Sequence, residues 1–594
     1  FLYFISNMSI LKKFLFLANN FINSDFFKLI IILLIALFLR TFRLSFSPPR
    51  LTHDEMSIGY NAYSILKTGK DEWGRSFPLD FEAFGDHKLP GYIYSLVPFL
   101  SFLPMSMVSI KIPSIIAGLS TILAMFYLTK TITKNRHLSF LTAFLLAISP
   151  WPIHISRMAL ESNLALALFS WGIYFLIKTF DLNSVKDASK NLVKDNRAAI
   201  LAGLFLAFST YFYIAYRLIV ILVLFLTLVL TFKYKLSKKR LLALFSVFIL
   251  VLLPLIGQLF GKSGTARFTQ VSIFSNDGVE ATILEQHNFC FLSQPKFLPR
   301  ICRVIYNKPF FYIKTFSKNY LSFLLPTFLF IEGDQLEYLN DPSFAEFYMF
   351  LIPFYLMGIN YWVKKKGYKA DIIKYSFLIA PIPSALVGDP QIVRGSALLL
   401  FVTLFSATGI YEVFRLIKKK FYKYSFVVFT LLLTLISLVR FFISYSYIYP
   451  GKYENSFYQL SDKIALFMLE KESDYDLIYI DKNFPDAHIL ISFYNQIDPS
   501  WYQDNIVRPV SQDGFGFTHP TKLGKYEFGD ELLDGFICNE EDDKKVLYVS
   551  NHLEIPADWV FKDFSNVHTQ VQVYDIDQTR DKLKKAKLFR NICH

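Results

Sequence analysis

Residues 51–91 read LTHDEMSIGYNAYSILKTGKDEWGRSFPLDFEAFGDHKLPG, and they separate the first two long apolar runs of the chain. Because apolar runs of that length cross bilayers as helices, this stretch is predicted to be a loop held at a membrane face. Its charged residues near the two ends are His53, Asp54 and Glu55, then Asp86, His87 and Lys88. The loop therefore places adjacent carboxylates at a membrane surface. A loop whose charges are merely solvated is the alternative.

Composition indicates a polytopic α-helical membrane protein. The 594 residues have a mean hydropathy of +0.36, with 53% hydrophobic and 18% aromatic residues, which is too apolar for a soluble chain of this length. The net charge of +14 is compatible with nucleic-acid binding, but Lys and Arg are concentrated in short connections between apolar runs. Because that distribution reflects membrane topology, we expect a lipid bilayer as partner and no nucleic acid.

The apolar runs predict about 11–13 transmembrane helices. They lie near residues 26–46, 92–130, 138–155, 160–177, 198–214, 216–232, 241–261, 344–363, 372–388, 395–414 and 424–445. Pro98, Pro104 and Lys111 interrupt the run at 92–130. We therefore expect a half-buried segment followed by one full helix there.

Basic residues predict the orientation of the chain. Five short connections carry 22 Lys and Arg against four Asp, and they are residues 130–136, 178–197, 233–240, 364–374 and 418–423. The positive-inside rule places these connections in the cytoplasm, together with the N-terminus. The predicted organisation is a cytoplasmic segment 1–25, a transmembrane domain 26–446 with outer loops 47–91 and 262–343, and an extracytoplasmic domain 447–594. The cell membrane is the predicted location.

The last 148 residues are predicted to form a small α/β domain outside the membrane. Residues 453–471 have helical spacing, and short strands are predicted at 476–481, 488–494, 545–550 and 571–576. This region shows no nucleotide-binding loop and no catalytic motif. Its expected role is therefore to cover a site or to bind a substrate.

The long outer loop contains two further predicted features. Cys290 and Cys302 face an oxidising exterior in this topology, so we expect a disulfide between them, with free thiols as the alternative. Residues 319–342 read NYLSFLLPTFLFIEGDQLEYLNDP and are predicted to lie on the membrane as an amphipathic, mobile lid.

Three arginines are candidates for binding an anion at the outer face. Arg157, Arg217 and Arg394 each lie in a short outer turn with otherwise apolar surroundings, and Arg217 is the only charged residue in 198–232. A guanidinium at membrane depth is costly unless it meets an anion or reaches the headgroups, and its forked donors match phosphate oxygens. Contact with lipid headgroups is the alternative for each arginine.

Five segments together resemble the bacterial branch of the GT-C glycosyltransferases, whose relatives include protein O-mannosyltransferases and lipid A aminoarabinose transferases. These segments are the Asp54-Glu55 pair, GDHKLPGYIYSL (85–96), ISRMALESNLAL (155–166), TYFYIAYRL (210–218) and VRGSALLL (393–400). The similarity covers most of residues 30–445. Leu89 before Pro90, Glu161 in place of the Asp of several relatives, and the partial match of DPQIVR (389–394) are departures that leave the sugar and acceptor open.

The resemblance implies an inverting transferase on the outer face of the membrane. It would move a monosaccharide from a polyprenyl-phosphate carrier to a hydroxyl of a lipid, glycan or protein acceptor. By this resemblance Asp54 is the base, Glu55 orients the acceptor or the base, and Lys88 contacts the donor phosphate. Such a transfer needs a carboxylate to take the acceptor proton and cations to hold the departing phosphate, for which Arg217 and Arg394 are further candidates.

By the same resemblance, Arg157 and Glu161 would form a second polar cluster over the sugar. Their spacing of four residues would place both on one face of a single helix. A structural ion pair within that helix is the alternative.

His53, His87 and Tyr92 are secondary site candidates. Two histidines beside carboxylates suggest a divalent ion, but their spacing is not a ligand motif and Lys88 would repel the ion. We therefore expect no cofactor, with a divalent metal ion as the alternative.

Two other functions compete with the transferase. A transporter or flippase of polyprenyl-linked glycans would place charges at mid-membrane beside broken central helices. A glycan ligase or polymerase would share the lipid carrier. The gathering of charges at one face favours the monosaccharide transferase.

Overall fold

The structure is a computed structural model, and it describes residues 24–181, 192–259, 272–275, 278–292, 299–453, 462–484, 486–509, 519–539, 543–551, 559–564 and 571–593. The described residues form a helical domain followed by a smaller domain built on a mixed sheet, which we name the sheet domain (residues 462–593). Most of the predicted N-terminal segment and residues 260–271 of the long outer loop lie outside the described residues.

The helical domain consists of helices joined by mostly short connections. In chain order they are α1 Asp25–Thr41, α2 His53–Thr68, α3 Pro90–Leu100, α4 Ile112–Thr133, α5 Arg136–Ile148, α6 Pro150–Ser156, α7 Glu161–Thr179, α8 Leu192–Ser209, α9 Ile214–Lys233, α10 Lys238–Leu252, α11 Ile256–Leu259, α12 Gly278–Leu292, α13 Pro299–Ile305, α14 Lys308–Leu324, α15 Ile352–Lys364, α16 Tyr368–Ile379, α17 Ile382–Ala385, α18 Leu398–Leu416, α19 Lys420–Ile443 and α20 Tyr449–Lys452. A hairpin of β1 Phe81–Ala83 and β2 Asp86–Lys88 lies between α2 and α3.

Within the described residues, four helices are long and apolar enough to cross a membrane. They are Ser109–Thr133, Ile214–Lys233, Leu398–Leu416 and Lys420–Lys452. The remaining predicted runs give helices that are shorter or less apolar, or elements that are bent. The count of 11–13 spans therefore stays a prediction.

The second predicted run is confirmed as a short helix followed by a long one. α3 ends at Leu100, and a 3₁₀ turn at Ser109–Lys111 leads into α4. The third predicted run, at 138–155, is not one straight helix: α5 and α6 meet at an angle of 58°. Pro150 causes this break, because a proline suits the first turn of a helix but cannot continue the preceding one.

The core of the helical domain depends on close helix contacts. α4 packs against α5 and α7, α7 packs on α8, and α15 packs on α18. A Cβ atom at Gly358 of α15 would lie 1.9 Å from the Phe405 carbonyl oxygen, and one at Gly409 of α18 would lie 1.8 Å from that of Phe354. Because only glycine permits this approach, the two residues fix α18, which begins four residues after Arg394.

Four of the five basic connections meet at one end of the helical domain. Their contacts are Lys130 and Arg136 with Asp25, Lys369 with Asp181 and Thr131, Lys233 with Asp371, and Arg240 with Thr179. The 51–91 loop and the sheet domain belong to the opposite end. The structure thus separates the two sets of loops that the charge pattern assigns to different membrane faces.

The sheet domain contains a seven-stranded mixed sheet. Its strands are β3 Leu477–Asp481, β4 Ile506–Val507, β5 Lys522–Leu523, β6 Tyr526–Gly529, β7 Val546–Ser550, β8 Lys562–Asp563 and β9 Gln572–Asp575, in the order β4-β5-β6-β3-β7-β9-β8. β3 runs parallel to β6 and β7, and the other pairs are antiparallel. The helices are α21 Asp462–Lys471, α22 Ala487–Tyr494, α23 Pro499–Asn505, α24 Leu533–Cys538, α25 Ile576–Lys585 and α26 Phe589–Ile592.

Three of the four predicted strands are confirmed as β3, β7 and β9. The prediction of a strand at 488–494 is wrong, because these residues belong to α22. A short, continuous apolar run does not distinguish a buried strand from a buried helix. In the fold, α22 is buried and packs against α2.

Two disulfides link the four cysteines. Cys290 joins Cys302, which confirms the predicted bond between α12 and α13. Cys538 joins Cys593 and ties α24 to the residues after α26. This second bond is not apparent from the sequence, since its cysteines are 55 residues apart.

The sheet domain packs directly on α2 and the loop that follows it. The Tyr60 hydroxyl donates to the Ile497 carbonyl at 3.1 Å, and the Gln503 amide donates to the Asp71 carbonyl at 2.9 Å. Apolar residues of α2 and α3 share one core cluster with β3, β6, β7 and α22. The sheet domain therefore covers the end of the helical domain that carries Asp54 and Lys88.

Candidate active site

The first turn of α2 gives its two adjacent carboxylates different surroundings. Thr52 caps the helix by accepting from the Glu55 amide at 3.3 Å, and the Glu55 carboxylate accepts from the Thr52 amide at 3.1 Å. This reciprocal capping fixes the turn. Glu55 is fully buried, whereas the Asp54 side chain is 51% exposed.

Asp54 forms an ion pair with Lys88. Lys88 is held by the β1–β2 hairpin, where it pairs with Phe81. Its side chain is only 4% exposed and its ammonium lies 5.9 Å from the Phe84 ring centre. The pair thus consists of a buried cation beneath an open carboxylate.

Tyr338 belongs to the predicted lid, and charged side chains from two other segments act on its hydroxyl. Burial raises the pKa of the Tyr338 hydroxyl, the neighbouring carboxylates of Asp334 and Asp54 raise it further, and Arg394 lowers it. Tyr338 is therefore within electrostatic range of both Asp54 and Arg394. Asp334 joins the predicted lid to the turn that carries Arg394, because its carboxylate accepts from the Ile392 amide at 2.9 Å and the Leu336 amide at 3.0 Å.

The Glu55 side chain is buried and does not share the exposure of Asp54. Besides capping α2, its carboxylate accepts from the Ala159 amide at 2.7 Å. These contacts tie α2 to the connection between α6 and α7, so Glu55 holds the position of the first turn. Direct contact between Glu55 and an acceptor stays a prediction.

Arg157 is buried and engaged with backbone oxygens. Its guanidinium donates to the Ser47 carbonyl at 2.7 and 3.1 Å and to the Leu39 carbonyl at 2.9 Å, and it lies 5.4 Å from the Tyr445 ring centre. These contacts join α1, the following loop and α6. They occupy donors that the sequence reading assigned to a phosphate.

The prediction that Arg157 and Glu161 share one helical face is wrong. α6 ends at Ser156 and α7 begins at Glu161, so the two residues lie on opposite sides of a helix break. Residues 157–160 form the connection between the two helices. A spacing of four residues therefore does not place both side chains on one helical face there.

Arg217 lies towards the same end of the hairpin as Lys88, because Asp80 precedes Phe81, which pairs with Lys88. His87 contacts the Asp80 carboxylate at 2.7 Å, and Asp80 is within electrostatic range of the Arg217 guanidinium. Arg217 donates only weakly to the Thr210 carbonyl, at 3.4 Å. Its Nη2 atom is buried and has no hydrogen-bond partner among the described residues. A guanidinium with an unused donor is available to an anion.

Of the three secondary candidates, one lies beside Asp54 and two contact other residues. His53 lies 3.8 Å from the Asp54 carboxylate and packs against Phe84 with ring centres 5.4 Å apart. His87 is bound to Asp80, and the buried Tyr92 hydroxyl donates to the Ile110 carbonyl at 2.8 Å. Among the described residues, no group of three or more His, Cys, Asp or Glu side chains could hold a metal ion.

Two residues near the site were not among the candidates named from the sequence. Tyr338 belongs to the predicted lid, and its position in the acidic sequence EGDQLEYLND was a usable signal. Lys111 was noted only as an interruption of an apolar run. It is fully buried, its ammonium has no hydrogen-bond partner among the described residues, and it lies within electrostatic range of Glu55.

Comparisons with known proteins identify the fold. No protein-family model matches the chain, and no curated protein matches its sequence. Among solved structures, ArnT from Cupriavidus metallidurans in the apo state is 11% identical with a TM-score of 0.52, over 92% of this chain and 98% of that one. The same protein bound to undecaprenyl phosphate is 10% identical with a TM-score of 0.51, over 92% and 97%.

A third solved structure is the oligosaccharyltransferase from Archaeoglobus fulgidus in the apo form. It is 16% identical with a TM-score of 0.51, and the match covers 79% of this chain. This chain spans 64% of the length of that oligosaccharyltransferase. Both proteins are members of the GT-C superfamily, and this chain therefore has the GT-C fold.

Proposed function

We propose that this chain is a membrane glycosyltransferase that moves a monosaccharide from a polyprenyl-phosphate carrier to an acceptor hydroxyl. The observation that carries the proposal is the ion pair between the open Asp54 carboxylate and the buried Lys88 ammonium. One group of this pair is suited to accept a proton, and the other is suited to bind a phosphate.

In the proposed reaction, the Asp54 carboxylate takes the proton of the acceptor hydroxyl. The acceptor oxygen then bonds to the anomeric carbon of the sugar from the side opposite the phosphate, and the bond from that carbon to the phosphate oxygen breaks. The electron pair of that bond leaves with the polyprenyl phosphate, so the anomeric configuration inverts. Lys88 and Arg394 are proposed to stabilise the negative charge on the departing phosphate.

Arg217 is proposed to bind the same donor phosphate as Lys88. Its unused Nη2 donor supports this role, and so does its position at the start of α9. Arg157 is proposed to act indirectly, by holding α1, α6 and the 42–52 loop together through its backbone contacts.

A groove on the side of the helical domain is proposed to hold the isoprenoid tail. Its volume is about 620 Å³, and it is lined almost entirely by apolar side chains of α9, α14, α16 and α17. Arg217 lies on α9, one to two turns before the first groove residue, Leu222. The similar fold of ArnT, solved with undecaprenyl phosphate, supports a lipid carrier of this class.

The proposed orientation places Asp54 and the sheet domain outside the cell and the four contacting basic connections in the cytoplasm. The acceptor is a hydroxyl of a lipid, glycan or protein that reaches the outer face. The proposal assigns the sheet domain to covering the site.

The test is donor consumption by the purified full-length chain in lipid nanodiscs. The protein is incubated with a panel of undecaprenyl-phosphate sugars, and the products are followed by mass spectrometry. We expect at least one donor to be converted to free undecaprenyl phosphate and a transferred or hydrolysed sugar. If every donor of the panel stays intact while the protein is folded, the proposed function is wrong.

A further inference from the structure

The turn at the tip of the β1–β2 hairpin consists of Phe84 and Gly85. Both residues have a positive φ, of 59° and 81°, which is what the two central residues of a type I′ hairpin turn require. Asn-Gly and Asp-Gly are the usual pairs in such a turn, because a bulky side chain is strained at positive φ. A phenylalanine in this conformation persists only where its surroundings hold it there.

The Phe84 ring is buried and contacts both domains. Its centre lies 5.4 Å from that of the His53 ring in the first turn of α2. On the other domain, it lies 5.9 Å from the centre of the His488 ring near the start of α22, with the two ring planes at 69°. Both pairs have the tilted geometry that aromatic rings prefer at these distances. The sheet domain therefore contacts the tip of the hairpin through His488.

His488 is itself fixed within the sheet domain. Its side chain is buried, and its ring centre lies 6.3 Å from that of Phe528 in β6. Burial lowers the pKa of the His488 imidazole to about 3, although Asp486 opposes the shift. At neutral pH this residue is therefore an uncharged ring, and it packs on Phe84 as an aromatic side chain would.

The same phenylalanine ring contacts the buried cation of the proposed site. The Lys88 ammonium lies over the ring of Phe84, 5.9 Å from its centre. The face of an aromatic ring attracts a cation, and more strongly where water is excluded. In the proposed reaction Asp54 takes up a proton, so the negative charge beside Lys88 is lost. Because a buried ammonium without a charged partner is costly, the ring is the contact that supports Lys88 until a phosphate is bound.

We infer that Phe84 positions Lys88 for the donor phosphate, and that His488 of the sheet domain holds Phe84 in this position. The inference rests on the proposed function, and it gives the sheet domain a part in donor binding beyond covering the site. Phe84 and His488 are positioning residues, since both act through Lys88.

The test measures binding of undecaprenyl phosphate to the full-length chain in nanodiscs. Phe84→Leu removes the ring face but keeps an apolar side chain, and His488→Ala removes the contact from the sheet domain. His488→Phe is the conservative variant, because it keeps a ring at this position. Phe536→Ala is the matched control, since its ring also belongs to the sheet domain but packs on Tyr479 and Tyr548. Thermal unfolding of each variant is measured on the same samples.

We expect Phe84→Leu and His488→Ala to weaken binding of undecaprenyl phosphate by about three- to tenfold, as for the loss of a desolvated contact between a cation and a ring. His488→Phe should bind within about twofold of wild type, because an aromatic pair is restored. Phe536→Ala should also bind as wild type does, even where its melting temperature falls as far as that of His488→Ala. A purely structural role of His488 would not separate these two variants.

The inference is overturned if Phe84→Leu or His488→Ala binds as tightly as wild type, if His488→Phe binds as weakly as His488→Ala, or if Phe536→Ala is equally weakened. One substitution lies on the hairpin and the other in the sheet domain, so one decides the matter if the other fails to fold. Donor consumption by wild type separates the two levels of failure. Wild type that consumes donor while the variants contradict the inference leaves the proposed function standing, whereas wild type that neither binds undecaprenyl phosphate nor consumes donor overturns both.

Discussion

At the scale of single residues, the site depends on the different burial of two neighbouring carboxylates. Glu55 uses both carboxylate oxygens for backbone contacts with Thr52 and Ala159. Asp54 remains half exposed and pairs with Lys88. The proposed base is therefore the residue whose carboxylate a substrate can reach, and its neighbour fixes the turn that presents it.

Arg217→Ala is expected to weaken donor binding. The substitution removes a guanidinium with an unused, buried donor, and loss of a charged hydrogen bond to phosphate should lower affinity for undecaprenyl phosphate about tenfold or more. The measurement is binding of undecaprenyl phosphate in nanodiscs. Arg415→Ala is the control, since its exposed side chain pairs with Glu412 at the opposite end of α18 from Arg394. Equal affinity in wild type and Arg217→Ala would remove Arg217 from the site.

Residue identities were easier to predict from sequence than residue partners. The resemblance named both Asp54 and Lys88 as candidates, and the structure brings them into contact although 34 residues separate them. The role of Arg157 did not follow from the sequence, because its backbone partners come from α1 and the loop after it. Backbone carbonyls are present at every position, so no sequence pattern marks those that accept from a buried arginine.

At the scale of elements, the loop after α2 contains a buried acid at the contact between domains. Glu72 exchanges hydrogen bonds with Asn61 at 3.0 and 3.2 Å, and its carbonyl accepts from Arg508 of the sheet domain at 3.1 Å. Arg508 also stacks on the Trp73 ring, 3.9 Å from its centre. Burial raises the pKa of the Glu72 carboxyl to about 7, although Arg508 opposes the shift.

Glu72→Gln is expected to reduce the loss of stability at alkaline pH. The carboxyl binds its proton more tightly when folded, so its favourable contribution is complete below the unfolded pKa of 4.5 and is lost as pH rises through about 7. Glutamine retains the Asn61 contact without titrating. Thermal unfolding of both proteins near pH 5 and pH 8 checks this, with Glu470→Gln as exposed control. The prediction fails if the two pH profiles coincide.

Gly409→Ala is expected to destabilise the helical domain. Its new methyl group would lie 1.8 Å from the Phe354 carbonyl oxygen, so α15 and α18 must separate at a cost of about 1–3 kcal/mol. Gly257→Ala is the control, because a Cβ there has no neighbour within 4 Å. Thermal unfolding in nanodiscs compares the two variants. A melting temperature for Gly409→Ala equal to that of Gly257→Ala would contradict the packing.

Element types were predictable where the apolar pattern was long or clearly bounded. The interruption near Lys111, three of the four predicted strands and the Cys290–Cys302 bond are confirmed. The strand at 488–494 and the straight helix at 138–155 were wrong. Residues 488–494 form a short apolar run that is buried on all sides, so its pattern does not distinguish a strand from a helix. In residues 138–155, a proline begins a new helix and breaks the straight one.

At the scale of the whole molecule, charge separates the two ends of the helical domain. Four basic connections contact one another at one end, and the Asp54–Lys88 pair lies at the other beneath the sheet domain. The sequence predicted this separation, because the positive-inside pattern needs no knowledge of packing. It did not predict which surface of the sheet domain meets α2, since that contact depends on side chains distant in sequence.

Asp504→Cys and Lys366→Cys are expected to react on opposite sides of the membrane. All four native cysteines are in disulfides, so each variant carries one free thiol at an exposed position. A membrane-impermeant maleimide should label Asp504→Cys on intact cells and Lys366→Cys only after permeabilisation. The reverse pattern would place Asp54 in the cytoplasm and would contradict the proposed orientation.

The turnover of Asp54→Asn tests the central claim most directly. Transfer from the accepted undecaprenyl-phosphate sugar is measured for wild type, Asp54→Asn and the Asp504→Asn control, each checked for folding by thermal unfolding. The account predicts that Asp54→Asn lowers the rate by about 100-fold or more without loss of folding, because a carboxamide cannot take the acceptor proton. A rate within about twofold of wild type would show that Asp54 is not the base.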